Sequence, residues 1–96
     1  MNFRSLENVR ENIDRLDREI VTLMAKRGNY VVEAASFKTS TADVEAPLRV
    51  EQVIAKVRGI AAVTGLDPQV AEETYRAMIN AFIGLEHAAF RHQTGD

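Results

Sequence analysis

Six apolar residues, Leu6, Val9, Ile13, Leu16, Ile20 and Leu23, recur at spacings of 3, 4, 3, 4 and 3. That repeat keeps one stripe of an α-helix turned toward a neighbour over several turns. The same spacing continues onto Arg27, Tyr30, Ala34 and Phe37. No proline precedes Pro47, and Gly28 is the single glycine before it, so nothing in the stretch stops a helix early. A helix is predicted from Ser5, a good N-cap, to about Lys38. At 1.5 Å per residue it would be about 50 Å long. A compact chain of 96 residues has a radius of gyration of only about 12–13 Å. The helix must protrude or lie against a second chain, and its apolar seam favours the second chain.

The rest reads as two shorter helices. Thr39–Ala46 is small and polar, a loop. Pro47 suits the first turn of a second helix, whose apolar set is Val50, Val53, Ile54, Val57, Ile60 and Ala61. Gly65 fits its stop after about Thr64. Asp67 and Pro68 make an N-cap and first-turn pair for a third helix, with Glu72 and Glu73 near the positive end of its dipole. It is predicted to reach about His92, with Val70, Thr74, Ala77, Met78, Ala81, Phe82, Leu85 and Ala89 facing inward. The tail after Gln93 is expected to fray. The expected fold is all-α: one domain over residues 1–96, built of a long, a short and a medium helix. A chain this short buries only about 60–65% of its unfolded surface when alone. That is a second reason to expect a homodimer.

Twelve basic against fourteen acidic residues give a net charge of −2, and the pI is near 5.7. Nucleic-acid and membrane-surface partners normally call for a basic excess, so neither is expected. There is no cysteine, which removes disulfides, thiol nucleophiles and thiolate metal ligands. The opening MNFRSLENVRENIDR has no apolar core of signal-peptide length. No run approaches the roughly 20 apolar residues of a membrane span. A cytoplasmic protein is expected. His87 and His92 are five apart, which is not a zinc spacing on a helix. Glycine-rich phosphate loops and nucleophile elbows are absent from the sequence. No metal and no cofactor are expected.

Most charges, such as Asp14, Arg15, Arg18 and Glu19, read as a solvated helix face. Arg27 differs because it occupies a seam position that apolar residues prepare for burial. A buried guanidinium is costly unless an anion satisfies it. That anion can be a ligand or an internal carboxylate, or the side chain can reach out to water. Lys38 follows Arg27 by eleven residues, three turns along the same face and roughly 16 Å away. Arg10 precedes Arg27 by seventeen residues, about 25 Å away and about 100° round the helix. It cannot share a pocket with Arg27 in one chain, but a partner's copy can enter. Glu86 follows Phe82 and Met78 on an apolar stripe, where burial would favour its neutral, proton-donating form. A rim position on an amphipathic helix is the alternative.

With these residues the chain resembles the all-helical chorismate mutases, including their isochorismate pyruvate lyase subgroup. The likeness covers nearly the whole chain. It is carried by VRENIDRLDREIVTLMAKR with Arg10 and Arg27, AASFKTS with Lys38, APLRVEQV with Arg49, and GLD and AFIGLEH with Glu86. The ordered set is far more specific than any one arginine. The resemblance implies an intertwined homodimer with two pockets, each completed by Arg10 from the other chain. Arg27, Arg49 and that Arg10 would hold the carboxylates of a dianionic substrate through fork geometry that lysine lacks. Lys38 and Glu86 would be catalytic, donating hydrogen bonds to the ether oxygen between ring and enolpyruvyl group, with Glu86 protonated. Negative charge grows on that oxygen as the C–O bond breaks, so prearranged donors favour the transition state. Holding the arm over the ring would remove part of the entropic barrier.

Rearrangement of chorismate to prephenate is the first expectation. The mutase pattern, however, has a glutamate directly after the second-helix arginine, where this chain has Val50. A hydroxyl-bearing residue one turn before the third-helix donor is likewise replaced, by Phe82 or Ile83. Both changes lean toward the alternative, cleavage of isochorismate to salicylate and pyruvate. Glutamate at position 86 is familiar among true mutases. A mutase of amino-substituted chorismate and a non-catalytic helical dimer or regulatory module complete the alternatives.

Overall fold

The computed structural model describes residues 5–37 and 46–93, with side chains as far as Ala88, and every element among them is helical. Helix α1 spans Leu6–Ala35, α2 spans Pro47–Thr64 and α3 spans Pro68–Gln93. The all-α expectation holds. None of these helices is long and apolar enough to cross a membrane.

Ser5 starts α1 as its N-cap. Its Oγ accepts the Asn8 N–H at 3.1 Å and its carbonyl accepts the Val9 N–H at 3.1 Å. Thirty residues make a rod of about 45 Å. The helix ends at Ala35, short of the predicted Lys38. Ser36 and Phe37 donate their N–H groups to the carbonyls of Glu33 and Ala34, both at 3.0 Å, which tightens the last turn. The Ser36 hydroxyl also donates to the Glu33 carbonyl at 2.7 Å, taking an acceptor that a continuing helix would use. Lys38 and residues 39–45 of the predicted loop lie outside the described residues.

The chain divides into two compact units, Met1–Tyr30 and Val31–Asp96. In the first, the apolar seam of α1 is open: Leu6, Ile13, Leu16, Ile20 and Leu23 are 49–64% exposed. Only Val9 of the six is half-buried. The heptad is present as predicted, and in a single chain it is largely unburied.

In the second unit α2 and α3 form an antiparallel hairpin joined by Gly65, Leu66 and Asp67. Gly65 takes φ +88°, and the N–H groups of Gly65 and Leu66 both donate to the Ala61 carbonyl, at 3.0 and 2.9 Å. That closes α2 with the left-handed residue that glycine adopts without penalty. Asp67 then caps α3, its Oδ1 accepting the Gln69 N–H at 2.9 Å. Both predicted boundaries stand. The core comprises Val53, Val57 and Ala61 of α2 and Ala71 of α3, with Tyr75 and Ile79 packed against it.

The α3 face differs from the expectation in part: Met78 and Phe82 are half-buried as predicted. Ala71, Tyr75 and Ile79 meet α2, whereas Val70, Thr74, Ala77, Ala81 and Leu85 are exposed, as is Ile60 of α2. Both α3 stripes have helical spacing. Tyr75 and Ile79 place their apolar area against α2, while Val70 and Leu85 of the other stripe stay about half exposed.

Four charged residues lace the same two helices. Arg76 Nη1 and Nη2 donate to the two carboxylate oxygens of Glu51, each at 2.9 Å. Arg76 Nε donates to Glu72 Oε2 at 2.8 Å, and Arg58 Nη1 donates to Glu72 Oε1 at 2.8 Å. A bidentate fork and a shared carboxylate therefore span the hairpin.

Candidate active site

Arg10 and Arg27 are both carried by α1. Arg10 is exposed, while Arg27 is half-buried and engaged in a polar or electrostatic contact. On a straight helix they stand about 25 Å apart, so one chain does not bring them together. An open groove along α1 is lined by Asn8, Glu11, Asn12, Asp14, Arg15 and Arg18. It contains none of the predicted site residues, and its mixed charges fit the solvated face read from the sequence.

Arg49 lies in the first turn of α2 and is exposed. That turn holds no acidic residue, so the guanidinium adds to the positive end of the helix dipole. An anion is favoured there by both. Glu86 is half-buried on α3, and Met78 and Phe82 on the same stripe are half-buried too. Glu86 is engaged in a contact with another group. His87, expected on the surface, is also half-buried and engaged.

The ion pairs fix the register of the hairpin. Counting outward from Glu51–Arg76, Arg49 comes level with Met78. Glu86 lies eight residues further along α3, about 12 Å up the axis. Arg49 and Glu86 thus share the open end of the hairpin, away from the Gly65 turn. Lys38 is outside the described residues.

The Glu51–Arg76–Glu72–Arg58 network escaped the sequence reading. Its Glu72–Arg76 pair has a recognisable i,i+4 spacing, but Glu51 and Arg76 are 25 residues apart. The hydrogen bond from Arg76 holds the Glu51 carboxyl below its ordinary value of 4.5. The same donor, helped by Arg58, lowers Glu72. Arg76 is raised in turn, first by Glu51 and then by Glu72.

The fold that carries these residues is a helical hairpin preceded in sequence by a long helix. Residues 9–87 match the family model described as chorismate mutase type II, and the chain belongs to that family. It is also 33% identical over 90 residues to the isochorismate pyruvate lyase of Pseudomonas aeruginosa, covering 94% of this chain and 89% of that protein. The chain is therefore an enzyme of the chorismate mutase or isochorismate pyruvate lyase type, as the resemblance implied.

Proposed function

We propose that the chain cleaves isochorismate to salicylate and pyruvate. The likeness to a lyase over 94% of the chain carries this reading. Val50, and Phe82 or Ile83, where the mutase pattern has polar groups, support it. The order of the two reactions is thus reversed from the sequence expectation.

The reaction needs no covalent intermediate. The ether C–O bond breaks as a ring hydrogen passes to the methylene carbon of the enolpyruvyl arm, and the ring becomes aromatic. Arg27, Arg49 and Arg10 of the partner subunit hold the two carboxylates. Lys38 and protonated Glu86 donate to the ether oxygen as charge develops on it. The homodimer belongs to this proposal, and the open seam of α1 supports it.

A second reading, rearrangement of chorismate to prephenate, is favoured by the family match and by glutamate at position 86. The same cationic pocket would serve, because both substrates are dianions folded over the same ether bond. Purified protein should be given isochorismate and chorismate separately. Salicylate with pyruvate from the first supports the lyase, and prephenate alone moves the assignment to the mutase. If neither substrate is consumed, both readings fall.

A further inference from the structure

The first buried residue of α2 is Val53, a full turn after Arg49. Between them Val50 is half-buried, and Pro47, Leu48 and Arg49 are exposed. The apolar core thus grips α2 from Val53 onward and leaves the turn bearing Arg49 beyond its edge. At that edge Arg76 of α3 forks onto Glu51, two residues after Arg49, with both bonds at 2.9 Å. A third bond, Nε to Glu72 at 2.8 Å, fixes the guanidinium plane to its own helix. Arg58 holds the other oxygen of Glu72 at 2.8 Å.

We propose that Arg76 is a positioning residue for Arg49: its fork on Glu51 sets the rotation of the first turns of α2 and hence where the Arg49 guanidinium points. The inference rests on the reading of Arg49 as a group that binds a substrate carboxylate. A helical turn is stiff, so holding Glu51 holds the direction of Arg49. A rotation of about 10° displaces the head of a long side chain by about 1 Å, beyond the tolerance of a productive site. Surface ion pairs contribute little to stability as a rule. A bidentate fork in a network of four charges is suited instead to fixing geometry. Lysine keeps the charge but cannot make the fork.

A double-mutant cycle with the full chain tests this, using whichever of isochorismate and chorismate it converts. Arg76→Lys should raise KM about 5-fold and leave kcat within about twofold, because Arg49 binds ground and transition states alike. In an Arg49→Ala background the same change should have no further effect. An equal loss in both backgrounds would mean that Arg76 acts only on general stability, and the proposal would fall. It would also fall if Arg76→Lys left KM unchanged while Arg49→Ala impaired binding. Wild-type kinetics in Arg49→Ala would instead remove Arg49 from the site, and the positioning role with it. A wild-type chain that converts neither substrate defeats both. If circular dichroism shows Arg76→Lys unfolded, Glu51→Gln breaks the fork from the other side, leaves the Glu72 bonds in place, and is read identically.

Discussion

Arg27 is the residue on which the sequence argument turned, since it interrupts an apolar seam, and the structure finds it half-buried and engaged. Arg27→Ala should lower kcat/KM about 100-fold, the scale of one lost charge-assisted bond to a carboxylate. Its Tm should stay within about 4 °C of wild type, because the change also removes a partly desolvated charge. Steady-state kinetics beside thermal unfolding separate the two effects. Unfolding of the variant would show Arg27 to be a structural ion-pair member instead. For Glu86 the proposed donor role makes a different demand. Glu86→Gln keeps a donor that cannot ionise, so its rate should hold level across pH 5 to 8 where the wild type declines as pH rises. A variant as pH-dependent as the wild type would take the proton away from Glu86. Glu86 stood out in the sequence because it sits on an apolar stripe. Arg49 had no such signal, being an exposed arginine at a helix start, and only the family pattern pointed to it.

Capping chemistry made the helices legible. Ser5, Gly65, Asp67 and the two prolines act locally, so their meaning needs no tertiary contact. Gly65 shows the energetic content of one such signal. Nothing lies within 4 Å of a Cβ built there, so Gly65→Ala meets only the backbone cost of φ +88°. That cost is about 1 kcal/mol, a Tm fall of about 4–8 °C in differential scanning calorimetry. The face of α3 was legible only in part: Met78 and Phe82 are half-buried as expected, but two stripes share one period and only the partner helix selects between them. The charged lacing of α2 and α3 was hidden for the same reason. It has a consequence for acid stability. Glu51 and Glu72 have carboxyls lowered from 4.5 by their arginines. A lowered carboxyl contributes stability that is fully present above the unfolded value and lost as pH falls through the folded one. Thermal unfolding should therefore be insensitive to these groups from pH 7 to about 5 and weaken below about 4.5. Arg76→Gln should flatten that acid limb, and an unchanged limb would remove the network from the acid response.

For the whole molecule, the seam of α1 and its length foretold more than one chain can satisfy. Leu6, Ile13, Leu16, Ile20 and Leu23 remain about half exposed or more, and a helix of 30 residues offers them no shelter of its own. In the proposed homodimer, a second copy related by a two-fold axis would bury the same stripe on both chains at once. The proposed site then takes Arg10 from one chain and Arg27 from the other, which can be tested without coordinates of the dimer. Arg10→Ala and Arg27→Ala homodimers should each be nearly inactive, since every site lacks one arginine. Mixing them under conditions that let subunits exchange creates heterodimers in which one site has lost both arginines and the other has lost neither. With random pairing, half the dimers are mixed and half their sites intact, so activity should recover to about a quarter of wild type. A chain that works alone, or a pocket whose arginines all come from one subunit, cannot show that recovery. Its absence, with exchange verified by sedimentation of differently labelled subunits, would place Arg10 outside the partner's site.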